Sequence, residues 1–173
     1  TLASVITFGR LTLDSTEITA DGPVFFNVDS GMVIRDSSLK SITRYVELGH
    51  SNTANLFTGT ETVISNSHFD GPEPLHWWFG TDTRLLMEGS TLRSGEYVEI
   101  EVADRSQAHI NTTEFTSANS FIGLYFQPAS ESLVVDNELN SGEGVHLEVN
   151  AAARVTFDRN RVNSGHSFSA YSE

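Results

Sequence analysis

Three short alternating stretches carry the side chains best suited to chemistry. They are His76-Trp77-Trp78, Val98-Glu99-Ile100-Glu101-Val102 and Val145-His146-Leu147-Glu148-Val149. Period-two alternation belongs to a strand: with Val98, Ile100 and Val102 turned inward, Glu99 and Glu101 share the outer face. The same rule turns His146 and Glu148 outward around Leu147, and His76 and Trp78 outward around Trp77. Paired carboxylates can move protons on a substrate or hold Ca²⁺. A tryptophan edged by polar groups can stack on a sugar ring. The plainer role of Glu-x-Glu on an outer strand face is hydration and protection from aggregation. The weak candidates for catalysis are therefore Glu99, Glu101, His146 and Glu148. The candidates for ligand contact are His76, Trp78, Glu99, Glu101 and Tyr125.

These side chains share a face only if the chain repeats, and it does. Apolar anchors, each two places after a hydroxyl or amide side chain, stand at Ile18, Leu39, Phe69, Leu92, Phe115, Leu139 and Val162. Their spacings are 21, 30, 23, 23, 24 and 23 residues. A fixed period in the twenties marks a solenoid. Five residues before each anchor lies an apolar side chain (Leu13, Ile34, Ile64, Met87, Ile110, Val134, Phe157). Two after lies a small residue. Six to ten after lies an alternating set such as Val24/Phe26/Val28 or Leu75/Trp77/Phe79. No segment keeps the i, i+3, i+4, i+7 spacing of a helix. The expectation is an all-β, single-stranded parallel β-helix of about seven coils of about 23 residues. At roughly 4.8 Å per coil the stack is about 34 Å long.

Corners follow from the same alignment. Ser15, Asp36, Asn66, Gly89, Thr112, Asp136 and Arg159 stand three before the anchors, and Asn, Asp and Gly tolerate a left-handed bend. Ser94-Gly95, Ser141-Gly142 and Ser164-Gly165 supply the next corner. The polar column two before the anchors is read as structural, its members bonding from coil to coil. The facing of 42–48 and 120–126 stays open: either Phe121 and Tyr125 or Ile122 and Leu124 face solvent. An outward Phe121 and Tyr125, lying between the carboxylates, would complete a sugar-binding strip. The one long interval places an insertion at 49–61 beside the coil of His76 and Trp78. His50, Asn52 and Asn55 could build a sugar shelf there, or Leu56 and Phe57 could fold back over apolar surface; the second is the simpler reading.

Composition narrows the partners. With 23 acidic and 10 basic residues the net charge is −13, which argues against nucleic acid and anionic membrane. No apolar run is long enough for membrane insertion, and there is no cysteine for a disulfide or a thiol site. Lys40 is the only lysine, a balance suited to an extracellular, cell-surface or virion setting. Asn111-Thr112-Thr113 matches an N-glycosylation acceptor, expected to be unused in a bacterial or phage protein. The chain starts in mid-pattern and shows no cap, so 1–173 is read as one β-helix domain within a longer protein.

The coil pattern φ-x-φ-x-x-[NST]-x-φ-x-S-G resembles the right-handed parallel β-helix of the pectate-lyase-like superfamily. The stretches VVDNELNSGEGVHLEV (134–149) and VTFDRNRVNSGHSFSAYS (155–172) carry it best. The resemblance implies right-handed winding, in a superfamily that spans lyases, hydrolases, epimerases, tailspikes and adhesins. Catalytic motifs of those enzymes are missing: SGHS at 164–167 is not the GHG of polygalacturonase-like hydrolases, and DGPEPLH at 70–76 only echoes the DPHE stretch of epimerases. The Arg-plus-Asp calcium site of pectate lyases has no clear counterpart. The expected function is a non-catalytic scaffold or adhesin module that presents one face to a glycan, without a cofactor unless Ca²⁺ is bound. A polysaccharide lyase or epimerase is the alternative, and an assembly module stacking end to end a third.

Overall fold

A computed structural model describes residues 3–7, 9–28, 30–49 and 60–172. The reading of His50, Asn52, Asn55, Leu56 and Phe57 lies outside the described residues. Within them the chain forms strands, turns and bends, and every strand pairing is parallel. Each coil contributes one strand to each of three sheets. A lead sheet takes Leu11–Asp14, Met32–Arg35, Glu61–Ser65, Arg84–Glu88, Gln107–Asn111, Glu131–Val135 and Arg154–Asp158. An anchor sheet takes Glu17–Ala20, Ser38–Ser41, His68–Gly71, Thr91–Ser94, Glu114–Ser117, Glu138–Ser141 and Arg161–Ser164. A broad eight-stranded sheet takes Ala3–Thr7, Val24–Val28, Val46–Gly49, Leu75–Phe79, Val98–Val102, Ile122–Phe126, Gly144–Val149 and Ser167–Ser172. The expected parallel solenoid of about seven coils is what forms.

The anchors make one continuous interior row, paired in register as Ile18, Leu39, Phe69, Leu92, Phe115, Leu139 and Val162. The five central members are wholly buried, and Ile18 and Val162 at the two ends are partly covered. Parallel stacking makes this unavoidable: equivalent residues of successive coils sit one strand spacing apart, so an apolar column becomes a dry row. Burying each such side chain is worth about 1.5–3 kcal/mol. Trp77 lies in the same interior, edge-on to Phe69 at 4.6 Å. Its indole N–H has no hydrogen-bond partner among the described residues, a cost of roughly 1–3 kcal/mol that the burial of so large a ring offsets.

All seven bend residues adopt the left-handed conformation, from Thr112 at φ 46° to Gly89 at φ 58°. The polar column beside them forms the expected ladder. The N–H groups of Thr16, Ser37 and Ser67 donate to the hydroxyls of Ser37, Ser67 and Ser90 in the next coil, at 3.1–3.2 Å. Thr113 and Asn137 donate likewise to the side-chain carbonyls of Asn137 and Asn160 at 2.9 Å. A second ladder, unforeseen, fills the corner between the broad and lead sheets. Buried Thr60, Thr83, Ser106 and Ser130 stack there, with Thr83 N–H donating to Ser106 Oγ at 3.0 Å. Each turn just before the last three of these hydroxyls, or after them in the final coil, bends through a left-handed residue: Asp82, Arg105, Ala129 and Ala152.

The open facings are now decided. Val46 and Leu48 are buried, so Glu47 turns outward; Ile122, Leu124 and Phe126 are buried, so Tyr125 turns outward.

Candidate functional site

Register on the broad sheet builds two outward columns. One reads Phe25, Glu47, His76, Glu99, Gly123, His146 and Ser169; the other reads Asn27, Gly49, Trp78, Glu101, Tyr125, Glu148 and Tyr171. Every residue singled out from sequence therefore falls on one face. Glu99 and His146 lie two coils apart, as do Glu101 and Glu148, a separation of about 9–10 Å at the usual strand spacing. The face is a shelf on the sheet rather than an enclosed pocket, with these side chains half-buried.

His76 begins the cluster. Its Nε2 is 3.3 Å from Glu99 Oε1, but the ring N–H is not aimed at that oxygen and makes no in-line hydrogen bond. Contact with Glu99 raises the histidine pKa above its usual value, burial opposes the rise, and the charges of Glu99, Glu47 and Glu101 add to it. Burial pushes the Glu47 carboxyl up, with His76 pulling the other way.

Aromatic rings line the middle of the face. Tyr97 and Phe121 stack in parallel with centroids 5.2 Å apart, and His146 meets Phe121 edge-on at 5.6 Å. Tyr125 lies along its own strand over Gly123: a Cβ at Gly123 would sit 2.4 Å from a Tyr125 ring carbon. Residues two apart point to the same side of a strand, so a glycine leaves the space its neighbour's ring then fills. Burial raises the phenol pKa of Tyr125, and Glu99, Glu148 and Glu101 raise it further.

Amides tie the second carboxylate pair together. Gln127 Nε2 donates to Glu101 Oε1 at 3.0 Å. Asn150 Nδ2 donates to Gln127 Oε1 at 3.1 Å and to Glu148 Oε1 at 3.2 Å. The chain Glu101–Gln127–Asn150–Glu148 thus crosses two coils and fixes both carboxylates. His146 Nδ1 pairs with Ser169 Oγ at 2.6 Å.

Sequence reasoning brought together His76, Trp78, Glu99, Glu101, Tyr125, His146 and Glu148. It missed Glu47, whose facing was open, and Tyr97, Gln127, Asn150 and Ser169. The last four lie on the same face or at its margin: extending each alternating stretch by one position would have found Tyr97, Gln127 and Asn150, and carrying the alignment one coil further would have found Ser169. Among the described residues no three acid or histidine side chains converge as metal ligands.

A family model described as "Right handed beta helix region" matches residues 4–172. No curated protein and no solved structure matches the chain.

Proposed function

We propose, since the chain belongs to the right-handed β-helix family, that it is a non-catalytic scaffold whose broad sheet presents a glycan-binding face. The carrying observation is the convergence of Trp78, Tyr125 and the Tyr97–Phe121 stack with Glu99, Glu101, Glu148 and two ordered amides on one side of one sheet. Sugars offer apolar C–H faces and a rim of hydroxyls, and rings beside fixed acceptors match both. The solenoid supplies stiffness, because the side chains of both outward columns stand on paired strands and Tyr97, Phe121, Gln127 and Asn150 directly adjoin them. A secreted, cell-surface or virion protein is the setting this role fits.

Binding without turnover is the expected outcome on a glycan array. Trp78→Ala and Tyr125→Ala should each weaken the bound glycan about tenfold, roughly 1.4 kcal/mol, with unchanged circular dichroism. Affinity untouched by both substitutions sinks the proposal.

A catalytic reading has one observation in its favour, the ordered Glu101 and Glu148 at a two-coil separation that leaves room for a water or a sugar bond. It requires release of reducing or unsaturated ends from a polysaccharide, abolished by Glu101→Gln or Glu148→Gln. Release that depends on Ca²⁺ would bring the metal into that reading.

A further inference from the structure

Charge separates the broad sheet from the rest of the molecule. None of the ten lysines and arginines lies on its strands, whereas Glu47, Glu99, Glu101 and Glu148 do. The described ion pairs to lysine or arginine all lie elsewhere, among them Lys40 with Asp70 at 3.0 Å, Arg84 with Glu61 at 3.3 Å and Arg93 with Glu114 at 3.4 Å. The corners hold Arg105 on Asp82 and Arg159 on Asp136, both at 2.7 Å. Among the described residues, the partners of the broad-sheet acids are His76 and the two amides. Gln127 directs its donor at Glu101, and Asn150 directs its own at Gln127 and Glu148, so the face carries four carboxylates with no lysine or arginine beside them on its strands.

We infer that this face takes a glycan bearing free ammonium groups and rejects uronic acids, an inference that rests on the glycan-binding reading. An ammonium group brings the donors and the positive charge that the carboxylates lack. The Tyr125 ring, with Glu99, Glu101 and Glu148 about it, adds the attraction of an aromatic face for a cation. A uronate would instead place its own carboxylate among carboxylates that no arginine or lysine neutralises. The overall charge of −13 acts in the same direction at long range.

Titration calorimetry on the whole chain tests this with three probes of equal length: β-1,4-linked glucosamine, its N-acetylated counterpart, and α-1,4-linked galacturonate. The free amine oligomer should bind about tenfold more tightly than the acetylated one, and the uronate should bind weakest. Added salt should narrow the gap, and Glu101→Gln with Glu148→Gln should close it while the fold, followed by circular dichroism, persists. Equal binding of the amine and acetylated oligomers, or tighter binding of galacturonate with or without Ca²⁺, overturns the ligand class and leaves the glycan reading standing. Failure of all three to bind, with no other glycan retained on an array, overturns both.

Discussion

His76 carries a proton more readily than a free histidine because the Glu99 carboxylate stands 3.3 Å from its Nε2. The consequence for stability has a definite sign. A histidine whose folded pKa exceeds its ordinary 6.5 favours the folded state below about that pH, and the benefit disappears as pH rises through the folded value. Glu47, raised above its ordinary 4.5 by burial, acts in the same sense over a lower range. A proton titration by NMR should place His76 above 6.5, and Glu99→Gln should bring it down. The melting-temperature gap between the native chain and Glu99→Gln should be widest in mild acid and close above neutrality. At this scale Gly123 is as informative as the acids. Gly123→Ala puts a methyl group 2.4 Å from the Tyr125 ring, so it should displace that ring and weaken glycan binding without removing any side chain from the face.

Strands in this chain are short, and corner chemistry decides whether one stacks on the next. Asn137 accepts from Thr113 N–H at 2.9 Å and donates to Ile110 O at 3.0 Å and Asn160 Oδ1 at 2.9 Å. Asn137→Ala leaves the buried Thr113 N–H without that acceptor, and chemical denaturation should show a loss on the order of 1–3 kcal/mol. The Ser-Gly corners have a different cause. A Cβ at Gly142 would lie 2.3 Å from Ala118 O, backbone that cannot swing aside, whereas a Cβ at Gly49 meets nothing within 4 Å. Gly142→Ala should therefore lower the melting temperature clearly, and Gly49→Ala should leave it nearly unchanged. Ala118 and Ile42 occupy the corresponding place in other coils, which shows that the glycine answers a close approach in its own coil and not a demand of the fold everywhere.

Stability in a stack of like coils is close to a sum of coil terms and interfaces between neighbours. Removing 93–115 excises one whole coil and joins Leu92 to Thr116, the residue that already follows the paired anchor Phe115. The shortened chain should still melt cooperatively with a strand-type circular dichroism spectrum, at a lower temperature. Removing about half as many residues should abolish that transition, because outward side chains then enter the interior row. The three outer faces also divide the labour. The anchor sheet is polar, the lead sheet carries the outward apolar residues Val33, Val63, Leu86 and Leu133 between charged neighbours, and the broad sheet holds the aromatic and acidic side chains.

Period and polarity by themselves determined the coil, the interior row and the left-handed bends, because in a parallel stack one column of residue types reports one column of environments. Glu99, Glu101, His146 and Glu148 could be placed on one face by the same reasoning. Neither facing could be settled for Glu47 or Tyr125 from alternation alone, since Tyr45-Val46-Glu47-Leu48 and Phe121-Ile122-Gly123-Leu124-Tyr125 offer apolar residues to both sides. Packing settled it: the interior accepts Val46, Leu48, Ile122 and Leu124 in line with the columns above and below them. Only in three dimensions do the Gln127–Asn150 tie, the ring of Tyr125 lying on Gly123, and the absence of basic residues from a single sheet become visible. The first depends on a contact between coils 23 residues apart, the second on the direction one ring takes along its strand, and the third on which strands share a sheet, none of which the order of residues along the chain expresses.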